Sequence, residues 1–194
     1  IMAYVVYTKN NLHEQIGSII LGSLIILWAV RLGSFLFIRI KKAGEDKRFR
    51  EIKTSFTRFF MLWTISGMWV SLCSMCALTA IASDDGVILN NLFYFGLATF
   101  LIGITIEVIA DKQKTNFRKD PKNKDKFINT GLWARSQHPN YVGEITLWGG
   151  IAIISCSSLV GWQYISLISP VFTYILLVYI SGVPQLKESG QKKW

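Results

Sequence analysis

An all-α, polytopic membrane bundle is the fold class this sequence predicts, and three observations carry the prediction. Of the 194 residues, 51% are hydrophobic and only 17% are charged. The apolar residues come in blocks of about twenty or more rather than in short alternating runs. The 21 Lys and Arg, set against 12 Asp and Glu for a net charge of +9, crowd into the connections between those blocks. Barrel strands would be about ten residues long with clean alternation, so backbone crossing hydrocarbon here must satisfy its own hydrogen bonds as helix. The same composition excludes disorder, collagen and a disulfide scaffold. Cys73, Cys76 and Cys156 all lie inside apolar runs and are expected to serve as small packing residues.

Five stretches are long enough to cross a hydrocarbon layer of roughly 30 Å. The first, Ile16 to Ile38, stops where a basic loop begins at Arg39. The second, Phe59 to Ala82, starts after that loop, and the third, Leu89 to Ile109, follows a short connection without a basic residue. The fourth, Tyr141 to Ser158, follows a second basic loop, and the fifth is Trp162 to Val183. Residues 1–194 are thus expected to form a single integral membrane domain, with both ends cut from a longer chain.

Charge then orients the bundle. Residues 39–58 hold eight basic residues against three acids, residues 110–140 hold eight against three, and Lys187, Lys192 and Lys193 follow the last run. Only Lys9 and Arg31 of the 21 lie elsewhere. Lys and Arg are retained on the cytosolic side, so the basic loops and C-terminus are expected in the cytosol, in a bacterial inner membrane or the endoplasmic reticulum. Basic residues confined to loops between spans suit anionic lipid head groups, not the continuous groove of a nucleic-acid binder.

Polar residues inside spans mark function, because an ionised group at the bilayer centre costs about 2.5 to 3.5 kcal/mol. Arg31 lies eight residues before the first basic loop, about 12 Å along the helix. That is long for snorkelling, so a paired or cavity-facing Arg31 is predicted. Glu107 and Asp111 share a helix face at i, i+4, and Glu144 shares one with Asn140 and Trp148. Pro139 suits the first turn of a helix, with Gln137 or His138 just outside it. Asn140, Tyr141 and Glu144 then surround a positive helix N-terminus. With Arg39, Lys114, Arg118 and Arg135 they describe a mouth able to hold a polyphosphate and pass an attached ring into the membrane. No metal site is expected: His138 stands alone, His13 is predicted on the opposite side, and the Cys73/Cys76 pair lacks a second ligand pair. No GxGxxG or Walker loop occurs, so a nucleotide would need a non-Rossmann site.

The string GLWARSQHPNYVGEITLWGG resembles the GLWxxSRHPNYFGExxxWxG signature of the steroid 5-alpha-reductase-like membrane proteins, which include the sterol C14 and C7 reductases. LWAVRLGSFLFIRIKKAGEDKRF, EVIADKQKTNFRKDPKNKDKFINTGLW and SGVPQL resemble further blocks of the branch known by its steroid-reductase-like C-terminal domain. The resemblance covers most of residues 27–186 in order. It implies an NADPH-dependent reductase of a carbon–carbon double bond, often conjugated to a carbonyl, in a steroid-like or other lipid substrate drawn from the bilayer.

Carried onto matching positions, Asn140 and Glu144 look like the pair that positions the nicotinamide, with Asp111 and Arg118 at the ribose and phosphates. Arg31 and Arg39 look like the residues reaching the diphosphate, and Glu107 stands where the steroid enzymes hold Asn. Lys114, Arg135 and His138 complete the expected cofactor mouth. Tyr141 is the nearby candidate for proton donor, so Tyr141 and Glu144 are the expected catalytic pair. Gln137 replaces the usual Arg and Val142 the usual Phe, and the family's distal basic and Tyr residues would fall beyond Trp194. Two other classes share features of this pattern. S-adenosylmethionine-dependent isoprenylcysteine and phospholipid methyltransferases carry a shorter RHPxYxG core, although Glu144 and Trp148 favour the reductases. A non-catalytic lipid-binding scaffold would fit the loss of charge at Gln137.

Overall fold

The structure is a computed structural model that describes residues 12–44, 52, 54–84, 86–123 and 126–180. Five principal helices form it: α1 Leu12–Ala43, α2 Phe56–Ala82, α3 Asn91–Lys119, α4 Pro139–Cys156 and α5 Ile168–Ile175. Among the described residues there is no strand, so the all-α expectation holds. Four stretches are long and apolar enough to cross a membrane: Gln15–Lys42, Phe56–Ala82, Asn91–Lys119 and Gly161–Tyr179. The expected fourth span is the 18-residue α4, which is a helix but is not among those four. Glu144, Asn140 and three glycines dilute its hydropathy, and it is the helix most enclosed by its neighbours.

Two boundaries differ from the sequence reading. α3 continues ten residues beyond Ile109, through the charged stretch to Lys119, ending with Arg118 and Lys119 against the negative helix terminus. The last span is not one helix. A 3-10 segment, Gly161–Leu167, leads into α5, which gives way to a π turn at Leu176–Ile180. Pro170 supplies the reason: it has no N–H for the Ser166 carbonyl, so a regular α ladder cannot run through it, and α5 instead begins at Ile168 with Pro170 in its first turn. Glu45 and Asp46 of the first matching block, the SGVPQL string, Lys187, Lys192 and Lys193, and the His13 side chain lie outside the described residues.

The α3–α4 contact sets the frame. The two helices run antiparallel with glycines facing across the seam. A Cβ on Gly103 would stand 2.4 Å from the Leu147 nitrogen, and one on Gly150 would stand 2.6 Å from the Phe100 nitrogen. Gly96 and Gly143 are equally pressed, against the Gly150 carbonyl and the Glu107 nitrogen at 2.7 Å each. Backbone therefore meets backbone, which is how small residues let helices associate where no hydrophobic force acts between them. Phe100, Leu147, Ile151 and Ile154 pack beside the seam with Leu21 and Trp28 of α1 and Cys73, Cys76 and Ala77 of α2.

Polar side chains within the helices are largely satisfied internally. Ser66, Ser71, Ser74 and Thr79 of α2 donate to the carbonyl four residues earlier at 2.7 to 2.9 Å. Ser169 of α5 donates to the Leu72 carbonyl at 2.6 Å, and Thr173 donates to the Cys73 sulfur at 3.1 Å, which joins α5 to α2. All three cysteines are free thiols. At one end, Val87 and Ile88 donate their backbone N–H groups to Ser18 and Ser158, both at 3.2 Å, tying the α2–α3 connection to the start of α1 and the end of α4. Asn90 caps α3 by accepting from the Phe93 N–H at 3.0 Å. The charged cluster lies toward the other end.

Candidate functional site

The extra turns of α3 make the site possible. Because the helix does not stop at Ile109, Glu107, Asp111, Lys114 and Arg118 recur at i, i+4, i+7 and i+11 and share one face. That face grades from the core outward: Glu107 is 3% exposed, Asp111 and Lys114 are half-buried, and Arg118 is exposed. Arg31 reaches across from α1. Its Nη1 donates to Glu107 Oε1 and its Nη2 to Asp111 Oδ2, one guanidinium bridging two carboxylates one turn apart. The pairing predicted for Arg31 is what the fold provides, and its guanidinium also lies 5.6 Å from the Phe35 ring centroid.

The cationic mouth gathers just beyond. Arg39 of α1 lies within electrostatic reach of Asp111 and Lys114, and Lys114 within reach of Arg118. Two carboxylates already engage Arg31, so Arg39, Lys114 and Arg118 are the charges left facing one another. Like charges held together favour an anion among them.

The segment leading into α4 is docked onto this face of α3. Gly131 has φ +61°, and a Cβ there would strike the Gln113 amide at 2.5 to 2.8 Å, so only glycine fits. The turn lets the Leu132 N–H donate to Gln113 Oε1 at 3.0 Å and the Trp133 indole donate to the Ala110 carbonyl at 3.0 Å. Lys114 Nζ lies over the Trp133 ring, 4.6 Å from its centroid. Arg135, next in line, is exposed and makes no ion pair among the described residues.

α4 begins as the sequence predicts, with His138 at the N-cap and Pro139 in the first turn. The His138 and Tyr141 rings stack at 5.3 Å with 29° between planes. Asn140 and Tyr141 are half-buried at the helix mouth. Glu144, one turn deeper, is 7% exposed and lies within electrostatic reach of Arg31, Asp111 and Glu107. Arg31 of α1, Glu107 and Asp111 of α3 and Glu144 of α4 are therefore neighbours.

Two residues escaped the sequence reading, Trp28 and Trp69. Trp28 meets Trp148 edge-on at 4.9 Å and 73°, and Trp69 at 6.5 Å and 82°. The indoles of Trp28 and Trp148 lie against the Glu144 carboxylate, and that of Trp69 against Cys73. The Trp28 and Trp148 N–H groups face Glu144 and that of Trp69 faces Cys73, while Glu144 Oε1 and Glu107 Oε2 are buried without a partner. The available signal was helical spacing: Trp28 is three residues from Arg31, Trp69 four from Cys73, and Trp148 four from Glu144.

A helical membrane protein with a buried acid and a cationic mouth at one end is the class that fold and site define. The family model described as a protein of unknown function (DUF1295) matches residues 1–194, and the chain belongs to that family, which includes steroid 5-alpha-reductase-like proteins. Similar curated proteins include a probable O-methyltransferase, ustE, of Ustilaginoidea virens, 29% identical over 115 residues. They also include 3-oxo-5-alpha-steroid 4-dehydrogenase 1 of Bos taurus, 33% identical over 98 residues, and steroid 5-alpha-reductase DET2 of Gossypium hirsutum, 35% over 65. These matches cover 51%, 50% and 34% of this chain. In turn the chain spans only 40%, 35% and 25% of those relatives. No solved structure matches it.

Proposed function

We propose that this protein is an NADPH-dependent membrane reductase acting on a carbon–carbon double bond of a steroid-like or other lipid. One observation carries the reading. A buried carboxylate with an unpartnered oxygen, Glu144, lies beside the Arg31–Glu107–Asp111 bridge, and the cations Arg39, Lys114 and Arg118 follow along the same α1 and α3 surfaces. Such a gradient suits a ligand with a neutral ring at one end and phosphates at the other. Two relatives named as a steroid dehydrogenase and a steroid reductase support the reaction class.

The residues present fit the dinucleotide. Glu144 Oε1 is an acceptor awaiting a donor, as a carboxamide N–H₂ provides, and Asn140 one turn earlier can both donate and accept. Arg39, Lys114 and Arg118 offset phosphate charge, joined at the rim by Arg135 and His138. Asp111 can accept from a ribose hydroxyl while still holding Arg31. Bound NADPH supplies the hydride. The chain's own residues orient the ring, exclude water from it by burial and, through Tyr141, furnish a proton to the alkene carbon next to the one that takes the hydride. The basic loops and the mouth face the cytosol in this reading, and the lipid enters laterally from the bilayer.

The relative named as a probable O-methyltransferase favours a second reading, in which the same mouth holds S-adenosylmethionine. Parallel titrations of the detergent-purified full-length protein with NADPH, NADH and S-adenosylmethionine separate the two. NADPH alone is expected to bind, and Glu144→Ala is expected to weaken that binding at least tenfold, about 1.4 kcal/mol, with expression unchanged. Binding of S-adenosylmethionine alone moves the protein to the methyltransferases. Silence from all three removes both activities and leaves a lipid-binding scaffold.

A further inference from the structure

The buried charges beside the cationic mouth do not balance among the described residues. Glu107, Asp111 and Glu144 bring three carboxylates together where α1, α3 and α4 meet, and Arg31 pairs with two of them. Glu107 and Glu144 are 3% and 7% exposed and lie within electrostatic reach of each other. Glu144 has the indoles of Trp28 and Trp148 facing it as neutral donors. Glu107 is served differently: Arg31 takes its Oε1, and its Oε2 is buried without a partner. Charge of one sign kept from water needs an answering charge, and an open carboxylate oxygen marks where that charge is missing.

What could answer it is restricted. A metal ion wants several ligands, and no group of three His, Cys, Asp or Glu among the described residues is arranged to hold one. The next cation on that face of α3, Lys114, stands seven residues outward, about 10 Å along the axis, over the Trp133 ring. The remaining class is a cation that arrives with a ligand. Arg39, Lys114 and Arg118 suit phosphate at the outer end, so that ligand is anionic outside and cationic within. S-adenosylmethionine has a positive sulfonium but no phosphate for the mouth. A nicotinamide dinucleotide has both only when oxidised, because its ring is neutral before the hydride leaves and positive afterwards.

We propose that Glu107 is a charge-selecting residue of the cofactor site, its free oxygen answering the positive charge of the oxidised nicotinamide, so that the protein holds NADP⁺ more tightly than NADPH. The inference rests on the reductase reading and deepens it. Two electrons and one hydrogen nucleus pass to the alkene carbon as hydride, and Glu107 offsets the positive charge left behind as it develops. Binding that favours the later state over the earlier one acts on the reaction itself. A tenfold preference lowers the potential of the bound two-electron couple by about 30 mV, which strengthens the bound hydride donor. The steroid enzymes that the sequence resembles hold Asn at this position, so the added charge is no part of that resemblance.

The test is equilibrium dialysis of radiolabelled NADP⁺ and NADPH against the full-length protein in lipid nanodiscs, with no lipid substrate added. Wild type is expected to bind NADP⁺ at least tenfold more tightly than NADPH. Glu107→Gln keeps an oxygen for Arg31 but removes the charge, and it is expected to cut the preference to threefold or less with NADPH affinity unchanged. Glu107→Asn is expected to do the same. Asp84→Asn removes an exposed acid beyond the other end of α2 and is expected to keep the wild-type preference. A wild-type preference under tenfold overturns the proposal, and so does a folded Glu107 variant that stays above threefold. Should neither variant fold, the wild-type ratio decides. Binding of neither nucleotide sinks the reductase reading and this inference with it, whereas equal binding of both sinks this inference alone.

Discussion

The two joints made by α3 are built on opposite principles. Along its glycine face α3 meets α4 backbone to backbone, with no side chain between them at Gly103 or Gly150. Toward α1 it meets a long side chain, Arg31, that spans the gap to Glu107 and Asp111 by charge. The first joint depends on what is absent and tolerates no added atom. The second depends on a matched set of charges and tolerates change only if the set stays matched. A seam fixed by shape and a brace fixed by charge should therefore fail differently, and that difference can be measured.

The largest effect is expected from Gly103→Val. Its Cβ would lie 2.4 Å from the Leu147 nitrogen and 2.7 Å from the Gly143 carbonyl, and backbone cannot yield as a side chain does. A loss of more than about 3 kcal/mol is expected, seen as disappearance of the monodisperse species on size-exclusion chromatography.

Next comes Arg31→Ala, which strands two carboxylates with side chains 4% and 13% exposed and should cost about 3 kcal/mol in denaturant unfolding. Here rescue is the signature. Adding Glu107→Gln to Arg31→Ala should recover about 1 kcal/mol by removing one stranded charge, whereas no neutralising change should help Gly103→Val. Wild-type stability of Arg31→Ala would mean that Leu21, Leu24 and Trp28 hold α1 by packing alone.

The smallest effect is a matched pair on adjacent positions. Gly150→Ala places a Cβ 2.6 Å from the Phe100 nitrogen and should cost about 2 kcal/mol. Gly149 has open space around it, so Gly149→Ala should leave the unfolding midpoint unchanged or raise stability by about 0.5 kcal/mol. Equal responses would show that the seam is looser than its geometry implies.

Sequence periodicity made the helices legible because spans are long apolar runs. It made α4's first turn legible because Pro139 is compatible with little else there. The true end of α3 was hidden, since hydropathy falls at Asp111 while the backbone hydrogen bonds continue to Lys119. Hydropathy reports where hydrocarbon stops, not where a helix does. Pro170 was visible in the last span, but its effect was submerged in the apolar run around it.

For the site, Glu107, Asp111 and Glu144 could be singled out because charge is rare in spans. Trp28 and Trp69 could not, because an indole in an apolar run is ordinary until other helices show which way its N–H turns. The glycine seam was written as Gly96 and Gly103 seven residues apart, opposite Gly143 and Gly150 with the same interval. Its meaning needs the partner helix.

The seam has a thermodynamic consequence for whatever enters the site. Glu107 and Gly143 touch across it, their backbones meeting with no slack, so the carboxylates of Glu107 and Glu144 hang from what is mechanically one body. A ligand that contacts both finds them already at fixed separation and has little freedom to extract from the protein as it binds. Affinity changes caused by seam substitutions should accordingly appear in the binding entropy and the dissociation rate before the contacts themselves are altered.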